Sequence, residues 1–159
     1  MGKPIDFAAD ADYPFRLFSA DHLIPLVLLL AAVLTLYLSR AYLRAPGPNA
    51  AVRLGIAGLL AATEASYHIW ATLTGTWTPD YSLPLHICGL AALLAAAMLA
   101  TRSYRIFELV YFWGLAGTTQ ALLTPDLDPY SFPHYMYYKF FLFHSLIVLA
   151  VLFMAWVEK

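Results

Sequence analysis

The sequence predicts an all-α fold, a polytopic transmembrane helical bundle of about five spans with the N-terminus outside and the C-terminus cytoplasmic. Three observations predict it. Of 159 residues, 62% are hydrophobic and only 12% charged, against roughly 45–50% and 25% in an ordinary soluble domain, and the mean hydropathy is positive. Five apolar runs approach the length of about 20 residues that crosses a hydrocarbon core of roughly 30 Å. The basic residues gather in alternate connectors, as the positive-inside rule expects of a chain that threads the membrane repeatedly.

The runs lie at 23–42, 53–73, 84–100, 106–123 and 138–157. Between them stand RAYLRAPGPNAAVR, GTWTPDYSLP, TRSYR and TPDLDPYSFPHY, in which Gly, Pro, Asp and Asn supply turns and end helices. Residues 1–22 form an N-terminal extramembrane segment and 23–159 the transmembrane helical domain. Asp6, Asp10, Asp12 and Pro14 leave the first twenty residues without the apolar core of a signal peptide. The first span therefore serves as its own insertion signal.

Orientation comes from Arg40, Arg44 and Arg53 around the first connector and Arg102 and Arg105 in the third. The second connector has no Lys or Arg, and the fourth offers two Asp and only Lys139 at its end. Trp70, Trp77, Tyr81, Tyr130, Tyr135, Tyr137 and Tyr138 crowd the outer boundary, as an interfacial aromatic belt would. Net charge is near zero and no basic stripe is interleaved with aromatics, so no nucleic-acid partner is expected. One cysteine precludes an intramolecular disulfide.

Polar groups inside a membrane are costly, about 2.5–3.5 kcal/mol for a charge at the centre of a span, so each asks for a partner or a purpose. Here they are Glu64 and His68 in the second span, His86 and Cys88 in the third, Gln120 in the fourth and His144 in the fifth. Helix rise places all of them in the outer third of the bilayer, although the spans run in alternating directions. His22 belongs to the same end. Glu108 is the exception, at the inner end beside Arg105, where a boundary charge pair accounts for it.

Glu64 and His68 are i and i+4 and share a helix face, so the carboxylate can fix or neutralise the imidazole. Pro84 is read as opening the third span, which sets Cys88 about one turn from the positive end of a helix dipole. On a helix His86 and Cys88 are about 200° apart, so the partner of Cys88 is sought on another helix, and His144 matches its depth. The plain readings are that Cys88 is a small apolar filler, that His68 is satisfied by Glu64, and that His134 is an interfacial side chain. His68, His86 and His144 could ligate a metal or haem, but no ligand spacing known for such sites is present, so neither metal nor cofactor is expected.

SLPLHIC, YRIFELVYFWGLAGTTQALLTPDL, FPHY and FFLFHSLIVLA resemble the YwaF-like integral membrane family, whose animal relatives include transmembrane protein 164. The resemblance runs from FSADH before the first span to the end of the fifth. It implies a phospholipid acyltransferase, a transacylase working through a cysteine thioester, with Cys88 as nucleophile and His144 as general base. His86, Glu64, His68 and Gln120 are then a supporting polar cluster. Members of that family continue with one or two further spans, whereas this chain stops at AWVEK. It is therefore expected to be a short or truncated member whose bundle needs another subunit, and a homo-oligomer is possible.

The partners expected on this reading are membrane phospholipids, and the compact connectors suit a bacterial inner membrane. If water replaces the lipid acceptor, the same machinery is a lipase. The alternatives are a non-catalytic scaffold or lipid-binding protein, whose polar cluster only fixes helix packing, and a His-ligated metal or haem protein.

Overall fold

The computed structural model describes residues 15–127 and 130–158. Asp6, Asp10, Asp12 and Pro14, and with them most of the expected extramembrane segment, lie outside the described residues, as does Asp128 of the fourth connector. The elements are α1 (Ala20–Leu43), α2 (Pro46–Thr74), α3 (Pro79–Ser82), α4 (Ile87–Thr101), α5 (Tyr104–Leu123) and α6 (Tyr135–Trp156). Among the described residues all of these elements are helical, and the protein is an integral membrane helical bundle.

The five long runs become α1, α2, α4, α5 and α6. Three of these, α1, α5 and α6, are both long and apolar enough to cross a membrane. At 29 residues α2 has the length, but Arg53, Glu64 and His68 interrupt its apolar surface. The 15 residues of α4 extend only about 22 Å. Its start corrects the sequence reading: Pro84 does not open the helix. Residues 83–86 form an irregular turn, and His86, with extended backbone at φ −75° and ψ 155°, is the residue that precedes Ile87.

The helices alternate in direction. At one end, His22 of α1 accepts from the Phe18 amide at Nδ1 (3.0 Å), which leaves Nε2–H to donate to the Leu122 carbonyl of α5 at 2.8 Å. Tyr137 of α6 donates to the Asp21 carbonyl at 2.6 Å, and Ser66 of α2 meets the Tyr135 hydroxyl at 2.8 Å. The starts of α1 and α6 thus share an end with the finish of α2 and α5. His22, fully buried, holds this end together through both ring nitrogens.

At the other end the charges meet one another. Arg53 of α2 is buried and donates to the carbonyls of Leu99 and Ala100 (the latter at 3.1 Å), where α4 ends with carbonyls that have no partner within the helix. Its Nε stands 3.9 Å from Glu158, which also lies 3.7 Å from Arg102. Arg102 donates to Asn49 at 3.1 Å, and Arg44 to the Trp156 carbonyl at 3.1 Å. The expected Glu108–Arg105 pair does not form within 4 Å among the described residues. Glu108 instead lines a recess with Tyr104, Tyr111 and Trp156.

α6 is the central element, burying Phe143, Ile147, Ala150, Val151 and Phe153 against α2, α4 and α5. Gly114 of α5 permits a close approach: a Cβ there would meet Val151 and Ile147 of α6 at 3.2 and 3.3 Å. Small residues at helix contacts are how membrane bundles gain dispersion energy. The outward surface is strongly apolar, with Leu38 of α1 76% and Phe112 of α5 72% exposed, as lipid-facing side chains are.

Because Arg53 supplies donors to otherwise unpaired helix carbonyls and compensates Glu158, Arg53→Ala is expected to cost about 3 kcal/mol. Arg105→Ala, at an exposed position, is expected to cost about 0.5 kcal/mol or less. Thermal unfolding in detergent checks both; equal effects would show that the buried network contributes nothing.

Candidate active site

The turn before α4 sets the site. The short α3 ends at Ser82, whose buried hydroxyl accepts from the Thr78 amide at 3.2 Å and approaches Tyr67 at 3.5 Å, tying the turn to α2. The chain then bends through Leu83–Leu85, and Cys88 follows as the second residue of α4. The backbone N–H groups of a first helical turn have no partner within the helix, so the sulfur is carried beside unsatisfied donors at the positive end of the helix dipole.

Gly89 is part of this construction. A Cβ at position 89 would lie 2.9 Å from the Pro84 Cα and 3.0 Å from the His86 ring. Only a residue without a side chain lets the turn fold onto the helix and lets the imidazole of His86 lie over it. His86 therefore does not stand 200° from Cys88, as it would on a regular helix. Both side chains line one cavity of about 460 Å³.

That cavity is completed by α6 and by the connector before it, with His144, Lys139, Phe140, Phe143, Tyr130 and Asp126 in its wall. His144 is buried, and its Nδ1 lies 2.7 Å from the Phe140 carbonyl one turn earlier. A carbonyl can only accept, so Nδ1 carries the proton and Nε2 keeps the lone pair. The Phe140 ring, with its centroid 4.2 Å from that of His144, holds the imidazole in place. A half-buried thiol and an imidazole whose Nδ1–H is held by a carbonyl thus line the same cavity.

Behind this wall runs a polar chain. Trp77 donates from Nε1 to His68 Nδ1 at 3.1 Å, so His68 carries its proton on Nε2, which lies 3.7 Å from Glu64. The second oxygen of Glu64 lies 3.8 Å from Lys139 Nζ. The ammonium stands over the rings of Phe143 (4.3 Å) and Tyr67 (4.7 Å). Glu64 and His68 do share a face, but they reach the cavity only through Lys139.

Gln120 is not brought to this cavity. It is exposed on α5, donates to its neighbour Thr124 at 2.7 Å, and lines a separate recess with Tyr111 and Thr119. Among the described residues no three His, Cys, Asp or Glu side chains converge as a metal site requires.

Sequence reasoning missed three contributors. The sequence reading leaves Lys139 at the end of a connector, but α6 starts at Tyr135, which puts Lys139 in the second turn and inside the bundle. The signal was available in FPHYMYYK: His134 is a helix cap, its Nδ1 accepting from the Met136 amide at 3.1 Å. Trp77, expected in the aromatic belt, also donates to His68. Gly89 stood in HICGL as the one glycine among Ala and Leu.

The fold and cavity together define a helical membrane protein with a cavity at one end of the bundle whose wall includes both Cys88 and His144. Residues 17–159 match the model of the TMEM164 family, and the chain belongs to that family. No curated protein and no solved structure matches it.

Gly89→Ala is expected to lose about 1–3 kcal/mol through forced displacement of the Pro84 backbone. Gly58→Ala on α2, where a Cβ meets open space, is expected to be neutral or to stabilise by up to about 1 kcal/mol. Parallel thermal unfolding of the two variants checks this, and a neutral Gly89→Ala would refute the packed turn.

Proposed function

We propose that this protein is a membrane-embedded phospholipid acyltransferase that works through a thioester on Cys88. The observation that carries the reading is that Cys88 and His144 line one cavity, with the His144 tautomer held by the Phe140 carbonyl so that Nε2 is basic. Membership of the TMEM164 family supports it, and LPLH-x-C and FxxxH, the segments that carry the resemblance, supply His86, Cys88, Phe140 and His144 to this cavity.

In the first half-reaction His144 Nε2 takes the thiol proton and the Cys88 sulfur attacks the carbonyl carbon of a phospholipid acyl ester. The free amides of the first turn of α4, with the His86 ring nearby, stabilise the oxyanion. The intermediate collapses with loss of the lysophospholipid alkoxide, which His144 protonates. In the second half a lysophospholipid hydroxyl gives its proton to His144, attacks the thioester and leaves with the acyl group, restoring the thiol. Water in place of the second lipid makes the same cycle a hydrolysis. Gln120 is not in the cavity wall and touches it through Thr124, to which it donates at 2.7 Å.

The arginine-rich end is assigned to the cytoplasm, which puts the N-terminus and the site on the outer side and the C-terminus inside. The compact connectors suit a bacterial inner membrane.

Intact mass spectrometry of the purified protein with phospholipid tests the chemistry. Wild type is expected to gain one acyl mass that hydroxylamine removes, Cys88→Ser to gain none that hydroxylamine removes, and His144→Ala to acylate about 10²–10⁴-fold more slowly. Lipid turnover without a hydroxylamine-sensitive adduct, or undiminished in Cys88→Ser, would exclude the covalent route in favour of another site, and neither turnover nor adduct in the wild type would favour a scaffold.

A further inference from the structure

The acyl-transfer chemistry needs a thiol, a base and oxyanion donors, and it leaves Lys139 unused. That is a costly residue to keep without use, since its side chain is only 12% exposed inside an apolar bundle. The 3.8 Å to Glu64 is an ion-pair separation without a hydrogen bond, and that carboxylate oxygen has no hydrogen-bond partner at all. Beneath the ammonium are the faces of Phe143 and Tyr67, which attract the charge but accept no conventional hydrogen bond. Among the described residues Glu64 is the one carboxylate paired with Lys139 within 4 Å, the ammonium is held in place from three sides, and the residue lines the cavity that holds Cys88 and His144. Asp126 lines the same cavity from the α5–α6 connector.

Spacing on α6 gives this cation a meaning. Lys139 and His144 are five residues apart, about 7.5 Å along the helix axis, with Lys139 nearer the end of the bundle. In a glycerophospholipid the phosphorus is five covalent bonds from the carbonyl carbon of the central acyl ester, roughly 6 Å when extended, and lies nearer the membrane surface. An ester carbonyl at Cys88 and His144 thus sets the phosphodiester about level with Lys139.

We infer that Lys139 is the phosphate-binding residue of the cavity, so that the site takes an acyl ester carrying a phosphodiester about one helical turn away and discriminates against phosphate-free glycerides. This rests on the acyl-transfer reading above for its substrate, but the binding of the phosphate does not depend on a thioester forming. Glu64 is the positioning residue: it holds the ammonium over the two rings, and His68 and Trp77 hold Glu64.

Two measurements on the full chain test this. The first compares acylation of Cys88 by a phosphatidylcholine and by the diacylglycerol with the same chains. The ratio of the two rates is expected to fall at least tenfold in Lys139→Met and to be largely kept in Lys139→Arg. The Glu64→Gln/Lys139→Met double variant, which leaves no uncompensated carboxylate, is expected to show the same fall and guards against a folding defect. Equal losses for both donors, or an unchanged ratio, would overturn the assignment.

The second uses Cys88→Ser with a dialkyl ether phosphatidylcholine, which cannot be deacylated, and with the matching dialkylglycerol. Binding followed by native mass spectrometry is expected to weaken about tenfold for the phospholipid alone when Lys139→Met is added. If the wild type is never acylated by either donor, the thioester reading fails while this arm still decides the phosphate site. No selective loss in this arm, or inorganic phosphate binding as tightly as the ether phospholipid, would overturn the lipid assignment.

Discussion

An ammonium cannot be kept among the rings of Tyr67 and Phe143 unless a carboxylate stands beside it, and the pairing of Glu64 with Lys139 is the constraint on which this end of the bundle depends. In a low-dielectric surrounding either charge alone would cost several kcal/mol, so the helices that carry them are bound to face each other. The pair fixes the rotation of α2 against α6. Once that rotation is set, His68 is turned toward Trp77 and the connector that carries it, and Ser66 meets Tyr135. The same rotation of α6 presents His144 to the cavity.

The opposite end obeys the same rule with different parts. Arg53 and Arg102 share Glu158, and the guanidinium of Arg53 also receives the last carbonyls of α4. Both ends are closed by charges that compensate one another, while the middle is held by close packing such as that at Gly114. Lipid offers no hydrophobic force to drive helices together, so polar closure at the ends and small-residue contact between them carry the association.

Much of this architecture was legible in the sequence. Apolar length alone located five elements, and their ends came within a few residues: 23–42 became Ala20–Leu43 and 106–123 became Tyr104–Leu123. The depth of the polar residues was also legible, because helix rise is a fixed quantity. Rotation was not. A helix in lipid is apolar on both its buried and its exposed sides, so hydrophobic periodicity says little about which way a side chain points. Gln120 illustrates this: it lies two residues from Leu122, whose carbonyl meets His22 at the site end, yet it projects from another face of the bundle. His86 illustrates the other limit. The angle of 200° presumed a helix at residues where the chain makes a turn, and the glycine that permits the turn acts through contact with Pro84, which spacing does not reveal.

α4, finally, is too short for its task by the usual measure. Its 15 residues cover about 22 Å of a hydrocarbon layer of roughly 30 Å, and the irregular stretch at residues 83–86 makes up part of the difference. Non-helical backbone at such a depth is tolerated only against protein or a water-filled space, and here it borders the cavity. The thiol is consequently recessed beneath the plane at which the longer helices end. On the proposed acyl-transfer reading, the lipid need not climb out of its leaflet: it approaches sideways, with its tails still dissolved among those of its neighbours. Access is then governed by lateral diffusion in two dimensions rather than by extraction into water.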